Sequence, residues 1–210
     1  MKKYSRRSLV SAGLVSGILM PGLVSAATRV ITPSGTEGPF YPDQLPLDTD
    51  NDLVKLGADG KSAAGQVFHL MGRVMNKAGK PYPGFILEIW QCDANGVYLH
   101  SGDARRSRYD ENFQGFGTTI TSKNGEYRFR TITPVSYPGR TPHIHYKIKA
   151  PNRREFTSQL YLAGHPQNDR DFLYRRLGNS SAQKAASVAL IPAVELEKGA
   201  VKGTFDIVLS

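Results

Sequence analysis

Cysteine occurs once in the 210-residue chain, as Cys92, and tryptophan once, as Trp90. A lone cysteine cannot close an intrachain disulfide, and no pair at zinc-finger spacing exists, so any bound metal must take nitrogen and oxygen donors. Walker loops, Gly-x-Ser-x-Gly elbows and His-Glu-x-x-His helices are also missing, which removes the usual markers of phosphate, serine-hydrolase and zincin chemistry. The 21 glycines and 13 prolines stay below the roughly 25–30% share at which composition itself argues for disorder. One compact domain with a single core is the expectation for this length.

Long hydrophobic runs are scarce as well. The longest stretch, Leu9 to Leu23, is broken by Gly13, Gly17 and Pro21, too short and glycine-rich for the roughly 20 residues that cross a bilayer. It follows Lys2, Lys3, Arg6 and Arg7 and ends at the small residues Val24-Ser25-Ala26. That order is expected of a cleavable export signal over residues 1–26, with no permanent membrane anchor. Ser5-Arg6-Arg7-Ser8-Leu9-Val10 resembles the twin-arginine motif, whose pathway carries folded proteins, so the mature protein is expected to be exported to the periplasm. The formal net charge is +9, and the residues after 26 keep +5 of it. Apart from Arg105–Arg108 and Arg153–Arg154 the basic residues are spread among acids, so no nucleic-acid partner is expected.

Beyond a polar lead at 27–65, containing Gly38-Pro39-Phe40-Tyr41-Pro42, short segments of alternating polarity are separated by turn signals. Strands are predicted at Gln66–Asn76, Phe85–Gln91, Thr118–Thr121, Glu126–Ile132, His143–Lys149, Phe156–Leu162 and Thr204–Leu209. Lys123-Asn124-Gly125 predicts a hairpin between the third and fourth of these. One short helix is predicted from Pro166 to Arg176, with Gly178 just beyond its end. The pattern predicts an all-β fold, an antiparallel β-sandwich with long loops, over residues 66–210.

In His143-Ile144-His145 the strand period of two puts both imidazoles on one face and Ile144, Tyr146 and Ile148 on the other. Two nitrogens could then meet on one ion, although a His-x-His pair taken alone is an ordinary strand pattern that more often marks packing histidines. Tyr137-Pro138-Gly139-Arg140-Thr141-Pro142 sets a tyrosine and an arginine in the loop just before them.

Together with Trp90-Gln91-Cys92-Asp93-Ala94-Asn95-Gly96-Val97-Tyr98 and Phe113-Gln114-Gly115-Phe116-Gly117, these residues resemble the intradiol ring-cleavage dioxygenases. The resemblance runs from about Gly38 to Leu162 and returns at the last strand. It is nearest to the protocatechuate 3,4-dioxygenase β-chain branch, since no separate helical domain precedes the sandwich. It implies a non-haem Fe(III) held by Tyr98, Tyr137, His143 and His145, with O2 as co-substrate and a small catecholic aromatic such as catechol or protocatechuate as substrate. It also implies that Tyr137 takes a substrate proton while Tyr98 stays bound. Arg140 would stabilise negative charge on the substrate, and Gln159 would be a polar neighbour of the open coordination position. The product would be a cis,cis-muconate. Two tyrosinates and a hydroxide would neutralise the ferric charge, avoiding an uncompensated buried ion.

Gly38-Pro39-Phe40 and Tyr41 resemble a segment lining the pocket mouth, and they also read as a simple turn. His69, His100 and His165 are expected at the surface or in packing, and Trp90 in the core. The competing class is a non-enzymatic β-sandwich binding module of the transthyretin or peptidase-regulatory type, which gives Tyr137, Arg140, His143 and His145 no reason to cluster. A homo-oligomer or a partner subunit is compatible with either reading.

Overall fold

A computed structural model describes residues 29–57 and 60–210. The expected export signal at 1–26 lies outside the described residues. Among the described residues no helix is long and apolar enough to cross a membrane.

Two five-stranded sheets face each other. In the first, β1 (Val67–Asn76) pairs antiparallel with β4 (Glu126–Ile132) along one edge. Along its other edge it pairs parallel with β9 (Val201–Thr204) and then with β10 (Ile207–Leu209), while β8 (Ile191–Pro192) pairs with β9. The second sheet runs in the order β3 (Phe116–Ile120), β2 (Ile86–Trp90), β5 (His143–Lys149), β6 (Phe156–Leu162) and β7 (Ser187–Val188). The all-β sandwich is as expected, but β1 with β9 and β10, and β6 with β7, are parallel pairs, so the sheets are mixed.

Alternation along each strand fills the space between the sheets. Phe68, Leu70 and Val74 of β1 and Tyr127 and Phe129 of β4 meet Leu87 and Ile89 of β2, Ile144, Tyr146 and Ile148 of β5, and Leu160 of β6. The lead segment belongs to the same body. Leu53 and Val54 are fully buried in this core, Thr32 N donates to Val208 O at 2.9 Å, and Gly35 N donates to Thr157 O at 2.9 Å.

Three local expectations are corrected. The Asn-Gly turn forms, with Gly125 at φ +75° and Ser122 N donating to Glu126 O at 2.9 Å, but it does not close a hairpin. β3 pairs with β2 and β4 with β1, so the turn carries the chain from one sheet to the other. Such a turn fixes a reversal, and burial of Tyr127 and Phe129 opposite β1 selects the partner. The predicted final strand is split at Phe205-Asp206. Phe205 O accepts from the Tyr127 hydroxyl at 2.6 Å and the Asp206 carboxylate accepts from Arg73 N at 3.0 Å, replacing a ladder bond. The predicted helix is a 3-10 turn at Asn168–Arg170 followed by α1 (Phe172–Arg176), and a second short helix, α2 (Ser180–Ala185), was not foreseen. Its signal was present in Asn179, whose side chain caps Ala182 N at 2.9 Å.

Candidate metal centre

The face of the second sheet turned away from the sandwich core carries the site. On β5 the residues offset by one from Ile144 and Tyr146 are His143 and His145, and both are buried, at 1% and 2% exposure. Across the ladder His145 stands opposite Trp90 of β2 and Gln159 of β6, while His143 stands opposite Tyr161. Trp90 stacks on the His145 ring with centroids 5.0 Å apart and planes at 13°. The expected core tryptophan is therefore also the wall that orients an imidazole.

Loops deliver the phenols. Asp93 receives Asn95 N and Val97 N on one carboxylate oxygen, each at 2.9 Å, and Gly96 takes φ +72°. An added Cβ there would make only ordinary contact, 3.4 Å from Tyr137 Cβ, so it is the left-handed backbone of the turn presenting Tyr98 that favours glycine. Tyr98 is 1% exposed, and its Oη lies 3.4 Å from His143 Nε2. Tyr137 begins a tight turn closed by Arg140 N donating to Tyr137 O at 2.9 Å, and it stands edge-on to Tyr98 at 5.7 Å and 85°.

His143 Nδ1 is 2.7 Å from Thr141 O. A carbonyl only accepts, so Nδ1 carries the proton and Nε2 presents its lone pair to the centre. There it meets His145 Nε2 at 3.2 Å. Burial, joined by the Arg140 charge, holds His143 neutral with its pKa lowered to about 3, and burial with His143 alongside drives His145 well below its ordinary value. Burial raises both phenols. For Tyr137 the Arg140 guanidinium and a hydrogen bond from Tyr98 oppose that rise, whereas for Tyr98 the neighbouring Cys92 and Tyr137 add to it and the opposing effect of Arg140 is the smallest. All four donors are thus neutral unless a cation ionises the phenols. Among the described residues no three histidine, cysteine or carboxylate side chains cluster, so the donor set is a mixed one of two imidazoles and two phenols. Hard phenolate oxygens with imidazole suit a ferric ion, and these residues fit one.

The remaining expected residues form a network beside this centre. Arg140 Nε donates to Asp171 Oδ2 at 2.8 Å and Nη2 donates to Gln159 Oε1 at 2.6 Å. Gln159 Oε1 also accepts from the Tyr161 hydroxyl at 2.9 Å, and its Nε2 donates to Thr36 O at 3.1 Å. Asp171 was missed by sequence reasoning. It is 1% exposed, caps α1 through Tyr174 N and receives Thr141 N at 2.9 Å. Burial alone would raise its pKa, and the Tyr174 and Thr141 amides with Arg140 outweigh that and lower it. An open cleft of about 450 Å³ lined by Tyr137, Arg140, Thr141, Arg170 and Asp171 lies alongside.

Gly38 and Phe40, read as either pocket mouth or plain turn, lie on the centre, Gly38 against His145 and Phe40 stacked on Tyr98 at 4.7 Å. His69 stands beside Glu197, His100 accepts from Gly102 N, and His165 neighbours Thr141, all outside the set of four donors.

The family model described as Dioxygenase matches residues 36–210. Over 169 residues the chain is 32% identical to the protocatechuate 3,4-dioxygenase beta chain of Burkholderia cepacia, covering 76% of this chain and 71% of that one. The chain belongs to the intradiol dioxygenase family. This intradiol dioxygenase is 30% identical to a catechol 1,2-dioxygenase of Acinetobacter baylyi, matching over 79% of its own length and 61% of the relative. Its structure also overlays the dioxygenase domain of a dioxygenase carbohydrate-binding protein fusion from Streptomyces sp. SirexAA-E, with a TM-score of 0.67, 32% identity, and coverage of 86% of this chain and 99% of that one. By family it is an oxidoreductase, and catecholic compounds are the substrate class of these relatives.

Proposed function

We propose that the protein cleaves a catecholic ring with O2 between its two hydroxylated carbons, giving a cis,cis-muconate, and that Tyr98, Tyr137, His143 and His145 hold the iron. Bound Fe(III) would supply the Lewis acidity and redox capacity that allow a catecholate to react with O2. Both oxygen atoms enter the product, so catechol and O2 account for all of its atoms.

The difference between the two phenols carries the division of roles. Tyr98 is enclosed, stacked by Phe40, and raised in pKa by burial and then by Cys92 and Tyr137. Tyr137 is half-buried, lines the open cleft and has the Arg140 charge beside it, so its oxygen is the one that can exchange partners. It accepts a proton from the incoming catechol hydroxyl, a transfer between groups of similar pKa. Arg140, steadied by Asp171 and Gln159, sets positive charge next to the negative charge that develops on the substrate.

The test is iron per chain, the visible spectrum and oxygen uptake with catechol and with protocatechuate. A coloured ferric protein consuming one O2 per muconate supports the reading. A colourless, iron-free protein after expression with ample iron overturns it. We also propose export to the periplasm through the Ser5–Val10 motif. Replacing Arg6 and Arg7 by Lys should strand the protein in the cytoplasm, and normal export of that variant would leave an ordinary signal.

A further inference from the structure

The face of β5 that presents His143 and His145 continues with Lys147 and Lys149, and a segment of the lead lies across all four. Its anchors begin with Gly35 N on Thr157 O at 2.9 Å and Thr36 O, which accepts from Gln159 Nε2 at 3.1 Å. Glu37 pairs with the Lys147 ammonium at 2.5 Å. Gly38 then takes φ +74° directly over His145, where an added Cβ would be 3.2 Å from Cε1, and Phe40 stacks on Tyr98. At the end of the segment Tyr41 stands edge-on to Trp90 at 5.0 Å and donates its hydroxyl to Glu88 Oε2 at 3.0 Å. Glu88 Oε1 accepts from Lys149 Nζ at 2.6 Å, and Lys147 Nζ sits 3.9 Å above the Tyr41 ring.

The contacts from this segment to His145 and Tyr98 are van der Waals and aromatic, which tolerate sliding. The bonds around Glu88 do not. Glu88 is 8% exposed, and a buried carboxylate must keep its partners. One of those partners belongs to the segment and the other to β5, the strand of His143 and His145. We propose that Tyr41, Glu88 and Lys149 clamp residues 35–41 onto the centre and so act as positioning residues for His145 and Tyr98. This rests on the reading of the four donors as an iron site.

Trp90, the sole tryptophan, is 1% exposed between Tyr41 and His145 and reports the seating of the segment without any iron. In metal-free protein, Tyr41→Phe and Lys149→Met should red-shift Trp90 emission and raise its quenching by acrylamide several-fold, with Tm little changed in Tyr41→Phe and lowered in Lys149→Met, which leaves the Glu88 carboxylate without its cation. Their affinity for added iron should fall about 10–100-fold, the cost typical of losing an outer-shell partner. Lys149→Arg should restore wild-type values, and the remote Tyr82→Phe should never leave them. Should Lys149→Met fail to fold, Tyr41→Phe, which removes only a hydroxyl, decides. Wild-type quenching in Tyr41→Phe, or a loosened Trp90 with unchanged iron affinity, overturns the clamp. A wild-type protein that binds no iron would instead sink the metal reading, and the quenching in metal-free protein still judges the clamp.

Discussion

Ile144 and His145 are neighbours on β5, equally buried, and they serve regions built on different terms. Inward, Ile144, Tyr146 and Ile148 meet β1 and β4 in a core of shape and volume. Outward, His143 and His145 meet loops and the 35–41 segment, where position is set by direction: His143 Nδ1 faces Thr141 O at 2.7 Å and the two Nε2 atoms converge to 3.2 Å. Apolar packing is non-directional and degrades gradually when a methyl group is lost, while a set of converging donors loses its ion at one step when a donor that stays bound throughout is removed. Burial therefore cannot tell the two faces of this sheet apart, and the chemistry of what covers each can.

The largest effect is expected from His145→Ala. Iron content and oxygen uptake should both disappear while Tm moves far less than for a core truncation, as measured by metal analysis, an oxygen electrode and thermal melting. Next come the phenols. Tyr137→Phe should keep most of the iron and lose roughly 10²–10⁴-fold in turnover, the range for a missing general base. Tyr98→Phe should lose iron and the visible band, and matching behaviour of the two variants would erase their separate roles. On the inner face, Ile144→Ala should cost about 2–5 kcal/mol of stability in denaturant titrations, with iron per folded chain unchanged.

The smallest effect lies far from both faces. Arg130 pairs with Asp52 and Glu197 on the first sheet, and its hydrogen bond holds the Glu197 carboxyl below the usual range. A lowered folded pKa adds stability above the unfolded value of about 4.3 and loses it as pH falls through the folded value. The pair is about one-third exposed, so the gain is at most about 1 kcal/mol. The Tm gap between wild type and Glu197→Gln should be present at pH 7 and close toward pH 3.

The strands at Glu126–Ile132, His143–Lys149 and Phe156–Leu162 could be read to the residue, because alternating polarity and flanking turns act locally. Which strand pairs with which could not. Lys123-Asn124-Gly125 signals a reversal, and only the distant apolar face of β1 selects β4 as a partner in the other sheet. In the site, the two histidines follow from strand periodicity, whereas Tyr98 and Tyr137 were reached only through motif resemblance, since no spacing rule links positions 98, 137 and 143. Asp171 had no signal of its ion pair, which joins residues far apart in the chain, and the covering role of Gly38 and Phe40 was open between pocket mouth and simple turn until Phe40 was found on Tyr98.

The parallel pairing of β1 with β9 and β10 also sets an order of events during synthesis. β1 is made early, yet one edge of it stays open until Val201 to Leu209 exist, some 130 residues later. The strands carrying the candidate iron donors and their neighbours, β2, β3, β5 and β6, all lie between Ile86 and Leu162 and can find one another sooner. Contacts of such sequence separation place the protein among slow folders, in the ms–s range. A chain cut short before residue 201 would present the exposed edge of β1 as a template for another strand, so loss of the last ten residues threatens solubility before it touches the chemistry.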